Sequence, residues 1–273
     1  MINLKLILLI LLLWFPVQAV ADDSLDVTRK AAEQGDVKAM KYLSYRYLGG
    51  ESLGEKDDDK AMKWFEKAAE SGDRTSQMDL ANIYYWGSFG CDQDFSKSAK
   101  WYNKAAEQGD RFAMYRLGEF SSHGLGVDQN DKLAASWYLK AAELGQSDSQ
   151  VEVGDMYLTG MGLKQDFDEA LKWLQKAAGQ ENRQAQYLLG MLYQHGRGVT
   201  QDYKQAFSWH QKAAEQGVNQ SQYSLGLMYY SGHGASQDKI KAFDWYMKAA
   251  KQGNIEAQHD LDSLCKESPW ACK

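Results

Sequence analysis

Proline is almost missing from this chain: two residues, Pro16 and Pro269, among 273. Helix interiors are thus free of the residue that breaks them, and 24 glycines are available for turns. Cysteine is scarce as well, and three residues are too few to staple a domain of this size. The five histidines show neither an HExxH nor a Cys/His spacing, so no metal motif is present. No strand pattern leads into a glycine-rich loop, which removes the usual phosphate cradle. Basic excess is absent too: the net charge is −6, which excludes a nucleic-acid footprint. What is present is ordinary for a folded chain, 44% hydrophobic and 25% charged, with no sign of disorder.

The first 21 residues form a separate object. Lys5 precedes the uncharged apolar run Leu6 to Phe15, Pro16 ends it, and Ala19-Val20-Ala21 offers small residues for cleavage. The run is shorter than the roughly 20 apolar residues of a membrane anchor. A cleavable signal peptide is therefore expected over residues 1–21, with cleavage after Ala21 and Asp22 as the mature N-terminus. No cysteine follows the run to carry a lipid. This predicts a periplasmic or secreted protein without stable membrane insertion after cleavage. In an oxidising compartment Cys265 and Cys272, which flank Ser268-Pro269-Trp270, are expected to close a small disulfide loop.

The remainder repeats. Alanine pairs begin at Ala31, Ala68, Ala105, Ala141, Ala177, Ala213 and Ala249, in steps of 37, 37, 36, 36, 36 and 36. Tryptophans keep the same beat at Trp64, Trp101, Trp137, Trp173, Trp209 and Trp245. A fixed period of this length signals a helical repeat array. Within one unit, Ala185, Leu189, Gly190 and Tyr193 lie on one helical face. The turn Gly196-Arg197-Gly198 follows, and Asp202 is placed to cap a second helix. On that helix Ala206, Trp209 and Ala213-Ala214 make a small-large-small stripe, and Gly217 ends it. The unit at 146–181 has Glu181 in the terminating slot and Gly179 ahead of it, which predicts an early end to its second helix. Cys91 falls in phase with Val127, Leu163 and Val199 and is expected to be a small buried residue behind the turn. The expected frame is all-α, with repeat units at about 36–72, 73–109, 110–145, 146–181, 182–217 and 218–253, flanked by cap helices at 25–34 and 255–265.

Ala185-x3-Leu189-Gly190-x2-Tyr193, Gly196-x-Gly198-Val199 and Trp209-x3-Ala213-Ala214-Glu215-Gln216-Gly217 resemble the Sel-1-like repeat family, relatives of the tetratricopeptide repeats. The resemblance covers about Leu25 to Lys266. It implies a right-handed α/α superhelical solenoid whose first helices line the concave wall, serving as an adaptor for other proteins. Some family members carry a penicillin-binding or weak β-lactamase activity. Those relatives staple each repeat with its own cysteine pair, which this chain lacks.

The chemistry expected is therefore recognition of a protein or peptide partner, with no cofactor, no metal and no catalytic residue. The alternative is a penicillin-binding or β-lactamase-type enzyme. Ser236-Gln237-Asp238-Lys239 and Ser263-Leu264-Cys265-Lys266 match the SxxK pattern but lack its companion motifs. His123 and His195 share one position before the turn and are expected to be solvated. For binding, the first-helix residues three before, one after and four after the repeat glycine are expected to point away from the core. They give a partner-binding stripe of Tyr115, Glu119, Val151, Asp155, Tyr187, Met191, Tyr223, Leu227 and Tyr230.

Overall fold

A computed structural model describes residues 22–49 and 57–272. The expected signal peptide and its cleavage site lie outside the described residues, as does the side chain of Cys272. The described residues form fourteen α-helices and no strand, in two compact units that divide between Asp94 and Phe95.

The first unit holds α1 (Asp22–Glu33), α2 (Val37–Gly49), α3 (Asp58–Glu70) and α4 (Arg74–Trp86). The second runs through α5 (Phe95–Glu107), α6 (Arg111–His123), α7 (Asp131–Glu143), α8 (Ser147–Thr159), α9 (Phe167–Gly179), α10 (Arg183–His195), α11 (Tyr203–Glu215), α12 (Asn219–Ser231), α13 (Lys239–Lys251) and α14 (Ile255–Glu267), and closes with a 3-10 turn at Pro269–Cys272. Within each unit every helix packs on its neighbours in sequence, so the architecture is a series of helix pairs.

The boundaries follow from capping. Asp57, Asn130, Asp166, Asp202 and Asp238 each sit in extended backbone, and each side chain accepts from first-turn amides of its second helix. The first helices have caps of their own in Asp73, Asp110, Gln146, Asn182 and Asn254. The core is the alanine stripe. Ala61, Ala134, Ala170, Ala206 and Ala242 have no exposed surface, and neither do Ala68, Ala105, Ala141, Ala177, Ala213 and Ala249. Small side chains there let helices approach closely while the tryptophans fill the space between pairs. Trp173, for example, joins Ala134, Ala135, Tyr138 and Ala142 of the preceding pair.

Two expectations need correction. Cys91 is half-buried rather than buried, as are Leu163 and Val199, and Val127 is exposed; the turn covers this position from one side only. Nor does α9 end early: it has the 13 residues of its counterparts. Instead Glu181 takes up the left-handed backbone, φ +62°, that Gly217 and Gly253 supply elsewhere. Every other repeat has glycine at this place, as in Glu107-Gln108-Gly109 and Glu215-Gln216-Gly217, and here the order is Gly179-Gln180-Glu181. Glycine in the helix and glutamate at positive φ are both unfavourable, each by roughly 1 kcal/mol. The exchange Gly179→Glu/Glu181→Gly should therefore stabilise the chain by about 1–2 kcal/mol, read as a higher denaturation midpoint at unchanged helicity.

Candidate protein-binding face

The repeat glycine of α6, α8, α10 and α12 is a close contact. A Cβ on Gly118 would lie 2.4 Å from Tyr138, on Gly154 2.7 Å from Leu174, on Gly190 2.7 Å from His210, and on Gly226 2.4 Å from Tyr246. Each partner is buried and follows its tryptophan position directly in sequence. The same buried residue also meets the aromatic ring three places before the glycine. Ring centroids are 5.8 Å apart for Tyr115 and Tyr138, 6.1 Å for Tyr187 and His210, and 5.9 Å for Tyr223 and Tyr246.

The expected stripe is thus displaced: it lies at the lip of the core and not opposite it. The reason is angular. At about 100° per residue, positions three before, one after and four after the glycine fall roughly 60°, 100° and 40° from it, all short of the far side. Tyr115, Glu119, Tyr187, Met191, Tyr223, Leu227 and Tyr230 are accordingly half-buried, and Asp155 is exposed. Val151 is a correction: it is 7% exposed and packs with Leu174, Ala178 and Leu189, where an apolar branched side chain fills the gap to the next pair.

Several phenols on this face are already engaged. Tyr115 Oη donates to Glu119 Oε1 at 3.1 Å, and Arg116 Nη1 lies 2.7 Å from Glu119 Oε2. Tyr223 Oη donates to Asp260 Oδ2 at 3.0 Å, and burial with that carboxylate pushes the phenol up to about 12. Tyr230 Oη donates to Glu267 Oε2 at 2.7 Å. Burial first, then Asp155 and Glu119, raises the Glu152 carboxyl above its ordinary value. The structure therefore gathers Tyr115, Glu119, Glu152 and Asp155 at one end of the face. It sets Tyr223, Leu227 and Tyr230 against α14 at the other.

Three features escaped the sequence reading. A lysine three residues after each tryptophan stacks on it: the ammonium to ring distances are 4.7, 4.2, 4.3, 4.0, 4.4 and 3.8 Å for Lys67, Lys104, Lys140, Lys176, Lys212 and Lys248. The 36-residue recurrence of that lysine was visible and is worth roughly 0.5–1 kcal/mol per exposed pair. A glutamine ladder stitches repeats together. Gln150 and Gln222 donate to Ala142 O and Ala214 O of the preceding helix pair, and accept from Gln180 and Gln252 at the end of their own pair's second helix. Finally, His210 is fully buried, with Nε2 2.9 Å from Gln194 Oε1 and Nδ1 3.3 Å from Ser221 Oγ. Burial, aided by His195, lowers its pKa to about 4.

The remaining candidates are placed as follows. Lys239, the lysine of the first SxxK string, binds Glu267 Oε1 at 2.7 Å and Ser268 Oγ at 2.9 Å, and is thereby directed to α14 and the chain end. Ser263 Oγ donates to His259 O. His123 and His195 are exposed, and no metal-competent group of three ligand-type residues exists among the described residues. Cys265 is disulfide-bonded. No helix among the described residues is long and apolar enough to cross a membrane.

Comparison with known families matches the Sel1 repeat to residues 37–73, 75–110, 111–146, 147–182, 183–218 and 219–254. A search of curated proteins gave no match. Among solved structures, a protective antigen present in uropathogenic Escherichia coli strains and displaying an SLR fold is 34% identical, with TM-score 0.82 over 90% of this chain. The chain spans 52% of that antigen's length. A Sel1 repeat protein from Oxalobacter formigenes is 32% identical, with TM-score 0.61, over 89% of this chain and 80% of that one.

Proposed function

The chain belongs to the Sel1 repeat family, and from that membership we propose that it is an exported, non-catalytic scaffold that binds a protein or peptide on its first-helix face. Sel1 repeat proteins are generally protein-interaction scaffolds. The observation that carries the reading to this face is the row Tyr187, Met191 and Leu227, large side chains held half-buried at the lip of the core. Rings anchored against a buried neighbour, as Tyr187 is on His210, lose little freedom when a partner covers them, which suits a binding anchor. Export is proposed from residues 1–21, and a disulfide at Cys265 fits an oxidising compartment.

Replacing Tyr187 and Tyr223 together by alanine should abolish partner capture while helical circular dichroism is retained. Tyr223 also ties α12 to α14 through Asp260, so a melting curve accompanies the assay. Undiminished capture by the double variant would remove the face from the account. An enzymatic role would show instead as β-lactam turnover by the purified protein.

A further inference from the structure

The first-helix face of the second unit is not uniform. On α6 and α8 it carries Glu119, Glu152 and Asp155. Glu119 is matched by Arg116, but among the described residues no basic side chain ion-pairs with Glu152 or Asp155. On α10 and α12 the face turns to Tyr187, Met191 and Leu227, all uncharged and half-buried. An acidic step and an apolar step therefore lie side by side on one row of helices.

Resting on the binding role proposed above, we infer that this face takes an extended peptide segment with lysine or arginine at one end and bulky apolar residues at the other. The basic end sits over Glu152 and Asp155, the apolar end over Tyr187, Met191 and Leu227. Charge complementarity fixes the first half. The half-buried Glu152 and the exposed Asp155 beside it repel one another, and a guanidinium or ammonium placed between them relieves that repulsion. Burial and the neighbouring Asp155, Glu119 and Asp148 carboxylates, opposed in part by His123, hold the Glu152 carboxyl above its ordinary value. A metal ion is a poorer occupant, because no three-ligand group forms among the described residues. Area burial drives the second half. Packed helices lie roughly 8–10 Å apart, and an extended strand rises about 3.3 Å per residue. The two ends of the segment are thus separated by roughly six residues.

The test uses fluorescence anisotropy with a labelled ten-residue peptide. It carries two arginines at one end, two leucines at the other and glycine and serine between, and is also made in reverse order. At least one order should bind, and Glu152→Gln/Asp155→Asn should weaken it by about tenfold or more, roughly the coupling expected of a close charge pair. Glu143→Gln/Glu215→Gln, the same charge change at the ends of α7 and α11, should leave binding unaltered. Glutamate in place of the arginines should end binding. Equal binding of the glutamate peptide, equal effects of the two double variants, or no binding in either order would overturn the inference. If it fails while Tyr187→Ala/Tyr223→Ala still abolishes partner capture, the binding face stands and only its partner class falls. If neither pair of substitutions matters, both readings fall.

Discussion

Gly234→Ala is expected to destabilise the chain by about 3 kcal/mol. The cost has two sources. Gly234 has φ +77°, where an L side chain is disfavoured by roughly 1–2 kcal/mol. Its position also presses the turn onto the preceding helix pair, where an added Cβ would meet Tyr203 O at 2.1 Å and Tyr203 C at 2.8 Å. Backbone cannot swing aside as a side-chain tip does, and overpacking of this kind costs roughly another 1–3 kcal/mol. Gly217→Ala provides the comparison: its φ is +86°, but nothing lies within 4 Å of the added atom. That variant should lose only about 1 kcal/mol. For a chain of this size the difference corresponds to several degrees in the thermal midpoint. Equal losses in the two variants would show that the turn glycine serves its own backbone and not the joint between repeats. Gly126 and Gly162 make the same approach to the backbone of Phe95 and Asp131, and Gly198 meets the Phe167 side chain, so close contact at this turn recurs along the array.

Acid should destabilise the native chain through His210. Its folded pKa is about 4, below the ordinary 6.5, because burial disfavours the imidazolium. The unfolded chain therefore binds a proton between pH 6.5 and 4 while the folded chain does not, and stability must fall as pH falls through that window. The full shift corresponds to about 3 kcal/mol, present above pH 6.5 and lost near pH 4. His210→Tyr isolates this contribution. Tyr102, Tyr138 and Tyr246 occupy the equivalent position, and Gly190 leaves the same clearance that Gly118 and Gly226 leave for their tyrosines. Carboxylates titrate alike in both proteins, so the difference between their pH–stability curves belongs to the histidine. A variant that loses stability as steeply as the native chain between pH 6.5 and 4 would mean that His210 is protonated in the fold.

The order of elements was legible because it rests on periodic, chemically distinct signals. The alanine pairs, the tryptophan beat and the capping aspartates each recur at 36 or 37 residues, and each has a local physical cause. Glu181 was misread because a positive-φ slot reads as glycine-only, whereas the capping geometry tolerates glutamate at a cost. The proposed stripe falls on the first helices as its spacing requires, but its positions were taken as opposite to the core when they flank it. Val151 is buried for that reason, and Tyr223 and Tyr230 spend their hydroxyls on Asp260 and Glu267. Those carboxylates stand 37 residues further on, a relation that pattern reading within one repeat does not reach. His210 was passed over because a histidine in a polar-looking helix carries no mark of burial until its alignment with Tyr138 and Tyr246 is considered.

The most direct test of the central claim is photo-crosslinking from the face itself. The chain from Asp22 onward, carrying benzoylphenylalanine in place of Tyr187, is mixed with envelope extract or host serum, irradiated and resolved by mass spectrometry. A second bait carries the same group in place of Gln211, which is exposed on a second helix. The account predicts one discrete adduct from position 187 and none from position 211. An adduct from position 211 alone, or the same adduct from both positions, would contradict the assignment of partner binding to the first-helix face.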